Sequence, residues 1–175
     1  MTGTVAGLRI GVSELRRRPG ERREEHRRVP MGGTAISTAS VPEGAEAEVD
    51  LVLESLSDGV TVNGTVRVPW VGPCRRCLEE TSGVAGAEIA EVFSDHPVGA
   101  DLLAFDGDAI DLGPVVHDAV VLALPLAPLC REDCAGPDPD HFPVVTGADD
   151  APPTDPRWSA LADLRFDPED TDPLE

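Results

Sequence analysis

The chain has 175 residues, 41% of them hydrophobic, which suits one domain with an ordinary core. Its formal charge of −19, from 33 acids against 14 arginines and no lysine, makes a body that repels phosphate backbones and anionic membranes. Contact with nucleic acid must then come from a local basic patch or through a partner, and residues 1 to 28 supply such a patch, with eight arginines against four acids.

Leu8, Ile10 and Val12 alternate with small or polar residues and predict a short strand running into a turn or one-turn helix at Ser13-Glu14-Leu15, closed by Pro19-Gly20. The basic cluster follows: Arg16, Arg17, Arg18, Arg22, Arg23, Arg27 and Arg28, interleaved with Glu21, Glu24 and Glu25. Two readings of it stand, a phosphate-contacting arm and a solvated strand or loop of mixed charge. From Ala45, the residues Ala45, Ala47, Val49, Leu51 and Leu53 fall on one face and Glu46, Glu48, Asp50 and Glu54 on the other, the period-two pattern of a strand. Asp58-Gly59 predicts a hairpin turn through positive φ. In the next strand Val60, Val62, Val66, Val68 and Trp70 share a face, and Pro69 and Pro73 are expected to break its ladder. Ala85, Ala87, Ile89 and Phe93 predict a third strand with Glu91 interrupting its face, and residues 95 to 108 read as a loop.

Asp111 stands where a helix N-cap belongs, with Pro114 in the first turn. Apolar residues then occupy every side from Leu112 to Leu124, predicting a helix largely buried all round until Pro125 stops it. The stretch is shorter than the ~20 residues a membrane helix needs, and no apolar run follows the N-terminal charges, so a cytoplasmic protein without a membrane partner is expected. The expected fold is α+β over residues 1 to 134, an antiparallel β-sheet of hairpins packed by one buried helix. Residues 135 to 175 read as an acidic, Pro- and Asp-rich tail, partly disordered. Within it a short docking helix is expected at 155 to 165, opened by Asp155 and Pro156, with Trp158, Leu161 and Ala162 at helical spacing.

The sharpest chemical signal is cysteine spacing. Cys74 and Cys77 form a C-x-x-C turn, Cys130 and Cys134 a second close pair, and together they offer four thiolates to a zinc ion. Arg75, Arg76 and Arg131 would offset the charge of a zinc tetrathiolate. Inert reduced thiols and a redox pair are the alternatives; the second lacks the βαβ setting of thioredoxin-like sites, since this C-x-x-C follows a hairpin. His141 lies close enough to Cys134 to replace a thiolate, whereas His117 reads as a hydrogen-bonded core or interface histidine. Neither a nucleophile elbow, a phosphate-binding glycine loop nor an H-E-x-x-H helix occurs, so neither catalysis nor a small-molecule substrate is expected. Six aromatics without a tyrosine make no base-stacking platform of the usual kind.

Four features occur in order: the basic-ended N-terminal strand, P-C-R-R-C-L at 73 to 78, D-L-G-P-V-V-H-D-A-V-V-L-A-L-P-L-A-P-L-C-R-E-D-C at 111 to 134, and D-P-R-W-S-A-L-A-D-L at 155 to 164. Together they resemble the YceD family of bacterial proteins over most of the chain. The resemblance implies a cytosolic, non-enzymatic factor needed for accumulation of 23S ribosomal RNA, and so a role in large-subunit biogenesis. On that reading Arg16, Arg17, Arg18, Arg22, Arg23, Arg27, Arg28, Arg75 and Arg76 touch 23S rRNA or a pre-ribosomal surface, while the acidic body engages basic ribosomal proteins. The competing readings are a zinc-stabilised protein-interaction adaptor without RNA contact and a thiol oxidoreductase. This chain departs from many relatives after Cys134, where they continue with G-L-C-x-x-C-G and it has Ala135-Gly136-Pro137-Asp138-Pro139-Asp140-His141. If that later pair joins Cys130 and Cys134 around zinc in relatives, half of those ligands are missing here, and two readings stand: the metal is absent, or Cys74 and Cys77 hold it instead.

Overall fold

Alternation of small apolar and acidic side chains makes β3 (Glu46–Ser55), whose Ala47, Val49, Leu51 and Leu53 are buried while Glu46 and the acids after it turn to solvent. The structure, a computed structural model, describes residues 8 to 97 and 102 to 141 together with Arg157. The docking helix expected at 155 to 165 lies outside the described residues except for Arg157. β3 pairs antiparallel with β4 (Gly59–Pro73) on one side and with β2 (Arg22–Pro30) on the other, and β4 pairs with β5 (Glu80–Ser94). The result is the expected antiparallel meander, extended by the two-residue β6 (Leu103–Ala104), which runs parallel to the end of β5. β6 falls in the stretch read as loop; two residues are too few to show a period.

The turn at Asp58-Gly59 forms, for a different reason than expected. Gly59 does not adopt positive φ. It faces Ser94 in the ladder, and a Cβ on it would lie 2.3 Å from the Phe93 carbonyl oxygen, so close approach of β5 requires the glycine. Pro69 does not end β4, which runs on to Pro73. Pro69 and Pro73 pair with Val84 and Glu80, beyond Arg67, the last residue of β4 paired with β3. On that edge the strand no longer needs an amide, so the missing N–H costs no β3 bond.

One face of the sheet carries Val49, Leu53, Val60, Val62, Val66, Val68, Ile89 and Phe93 into a single core. That face is covered by α1 (Gly113–Ala123), packed on β5 and β4, and by a two-stranded sheet of β1 (Arg9–Gly11) and β7 (Ala109–Asp111) with the 3-10 turn Leu15–Arg17 behind it. Leu8, Ile10 and Val12 are all buried there, as their alternation predicts. Asp111 accepts a hydrogen bond from the Gly113 amide at 2.9 Å, while Leu112 occupies the N-cap position, one residue later than expected.

α1 is not buried on all sides. Val116 and Val120 face the sheet, whereas Leu122 is 84% exposed and Leu126 beyond the helix 80%. Among the described residues α1 packs mainly on β5 and β4, on one side of the helix, and hydropathy alone cannot report that. His117 is half-buried and lies 3.3 Å from the Asp118 carboxylate.

Candidate metal centre

The end of the β4–β5 hairpin is closed by the first cysteine turn. The Cys74 amide donates to Glu79 O at 2.8 Å and the Leu78 amide returns to Cys74 O at 2.9 Å. The Arg76 amide points at Cys74 Sγ, 3.4 Å away, and Leu78 follows at φ +64°. A side chain in that left-handed conformation costs about 1–2 kcal/mol relative to an ordinary one, so the turn is held by its surroundings.

The second turn arrives from α1. Leu124 leaves the helix in extended conformation, Thr38 Oγ1 donates to Pro125 O at 3.0 Å, and the Arg75 amide donates to Pro128 O at 2.8 Å. Arg76 then holds the turn itself, its guanidinium donating to Glu132 O at 3.0 Å and to Cys134 O at 2.8 Å. This role was not visible in sequence, because both acceptors are backbone carbonyls.

These bonds bring the four sulfurs within 4.8 Å of one another. Cys74 Sγ lies 3.9 Å from Cys134 Sγ, and Cys77 Sγ 3.8 Å from Cys130 Sγ. Disulfides need about 2.05 Å, whereas a tetrahedral ion with metal–sulfur bonds of about 2.3 Å spaces its ligands about 3.8 Å apart. The Cys74–Cys134 and Cys77–Cys130 separations therefore fit two edges of a tetrathiolate centre and not disulfides, with Cys74 and Cys134 on the buried side. Amides of Cys130 and Cys77 directed at its sulfur, opposed by burial and aided by the Arg76 amide, hold Cys74 down to about 5. Cys130 is pushed up to about 12 by desolvation and then by the neighbouring sulfurs, Cys134 first.

Among the described residues the cluster contains only these cysteines. His141 stands apart, exposed, with its Nδ1 3.0 Å from the Asp138 carboxylate. The first pair, Cys74 and Cys77, stands beside Cys130 and Cys134.

The basic cluster proves to be largely paired. β2 lies beside β3, and Arg22 meets Glu54 at 2.8 Å while Arg28 reaches Glu48 at 3.5 Å. Arg23 and Arg27 grip Glu25 from both sides at 3.0 and 2.6 Å, and Arg23 also donates to Gly11 O at 2.8 Å. Arg18 lies 3.7 Å from Glu21. Arg16 bonds Asp95 and stacks over the Phe105 ring, 4.2 Å from its centroid. Among the described residues Arg17 and Arg75 have no acidic partner. The partners on β3 had a signal in sequence: acids recur there every second residue, the period of the facing strand.

A family model described as large ribosomal RNA subunit accumulation protein YceD matches residues 62–165. The chain is 32% identical over 174 residues to the uncharacterized protein Rv2926c of Mycobacterium tuberculosis, covering 94% of this chain and 84% of that one. It is also 32% identical over 171 residues to the uncharacterized protein ML1660 of Mycobacterium leprae, covering 91% and 78%. No solved structure matches.

Proposed function

The chain belongs to the YceD family, and from that membership we propose that it is a non-catalytic, cytoplasmic factor of large-subunit assembly that supports the accumulation of 23S ribosomal RNA. The family match is the observation that carries this reading. Residues 1 to 134 form the working domain, 135 to 175 an acidic tail, and a zinc ion held by Cys74, Cys77, Cys130 and Cys134 clasps the β4–β5 hairpin to the segment leaving α1. The zinc is structural: four thiolates leave no open position for a substrate, so it stabilises a shape and supplies no reaction.

The pairing of the arginines favours contact through a protein over contact with RNA. Arg16, Arg18, Arg22, Arg23, Arg27 and Arg28 each have a carboxylate within 4 Å, so a phosphate would have to displace an existing partner. Arg17 and Arg75 are the cations best placed for a direct RNA contact. The acidic body, with its formal charge of −19, suits basic ribosomal proteins.

Depletion in the native host, with 23S measured against 16S rRNA and the tagged protein followed through a sucrose gradient, tests the reading. A selective 23S deficit with co-sedimentation on large-subunit precursors is expected; unchanged 23S overturns it. Cross-linking then separates the contacts: recovery of ribosomal protein without RNA supports the adaptor mode. RNA cross-links lost on Arg17→Ala with Arg75→Ala instead assign direct contact, with binding that weakens as salt rises.

A further inference from the structure

β2 is the outermost strand of the five-stranded sheet, and among the described residues nothing pairs with its outer edge. An open edge of nine residues is a template for another strand unless its side chains oppose pairing. Here the charges favour one particular strand. Read from 24 to 28 the edge is Glu-Glu-His-Arg-Arg, and reversed it becomes its own complement about His26.

We infer that β2 pairs antiparallel with β2 of a second copy of this chain, about a two-fold axis through His26, joining two five-stranded sheets into one. In that register Glu24 faces Arg28 of the second copy, and Glu25 faces its Arg27. The two-fold symmetry repeats both pairs, giving four cross-strand ion pairs in which Arg27 and Arg28 are shared with Glu25 and Glu48 of their own chain. Each pair lies on one side of the joined sheet. Glu24 and Arg28 share the open face with His26, and Glu25 and Arg27 share the core-side face with Val29.

Neighbouring registers are excluded by the same charges. With the axis at Glu25, Arg22 meets Arg28, Arg23 meets Arg27 and Glu25 meets itself. With the axis at Arg27, that arginine meets its own copy and His26 meets Arg28. Like charges directly opposite destabilise a pair of strands, so the sequence selects His26. The ion pairs seen within one chain prepare the edge: Arg23 and Arg27 hold Glu25, only 12% exposed, at the rim where the second strand would lie.

Sedimentation equilibrium of the full-length, zinc-loaded protein at low salt tests this with three chains. The wild type is expected to associate to twice its 18.4 kDa. The acidic variant Arg27→Glu with Arg28→Glu and the basic variant Glu24→Arg with Glu25→Arg should each dimerise about tenfold or more weakly, because every cross-strand pair becomes like-charged. Mixed together, the two variants should form a heterodimer, which neither misfolding nor a different interface would produce. Amide exchange of residues 22 to 30 should slow with wild-type concentration. A monomeric wild type, variants that dimerise as well as it does, or a mixture that stays monomeric overturns the proposal, as does edge protection that needs another protein.

Discussion

The sulfurs of Cys74 and Cys134 lie 3.9 Å apart across 60 residues of chain. Between them run β5, the β6–β7 segment and α1, so the distance is a product of the whole domain. It would not survive a change in how α1 leaves the sheet.

Protein purified without chelator is expected to contain about one zinc per chain by elemental analysis. Cys74→Ser and Cys130→Ser should each lose it, and a strong chelator should lower the thermal midpoint in proportion to the metal removed, since a ligand of the folded state stabilises by mass action. The sheet should persist by far-ultraviolet circular dichroism, because the core of Val49, Leu53, Val60, Val62 and Phe93 does not include the cysteines. Four freely titrating thiols with no metal would refute the centre.

Trp70 faces Gly83 across the β4–β5 ladder, and a Cβ on Gly83 would lie 3.0 Å from its indole ring. Gly83→Val should therefore cost about 1–3 kcal/mol in urea unfolding, from overpacking against the ring. Gly86→Ala on the same strand meets nothing closer than 3.5 Å and should change stability by less than about 0.5 kcal/mol. Equal effects at the two positions would show that the indole does not rest on the strand.

Val120 and Leu122 are two residues apart on α1 with opposite fates, the first fully buried and the second exposed. Val120→Ala is expected to cost about 2 kcal/mol through lost burial and the cavity left behind. Leu122→Ala should stay within about 0.5 kcal/mol of the wild type. Comparable losses from both would mean that Leu122 is covered in the native protein, and would point to an occupant of that side of the helix.

Local patterns were legible in the residues. Alternation over 45 to 54 and 60 to 70 identified two strands and the sides they bury, Ala85 to Phe93 a third, and C-x-x-C a turn able to present two sulfurs, because side-chain period and turn chemistry are settled within a few residues. Asp111 and Pro114 marked the start of α1 to within one residue.

Relations between distant segments were decided only by the tertiary structure. That Cys74 and Cys77 meet Cys130 and Cys134 depends on where α1 returns the chain. That Arg22 and Arg28 are neutralised depends on β2 lying beside the acids of β3. That Leu122 is exposed depends on α1 packing, among the described residues, on β5 and β4 with its other side. Composition states which groups exist, while burial and pairing depend on which surfaces the topology brings together, and so the same arginines and leucines read differently once their neighbours are in place.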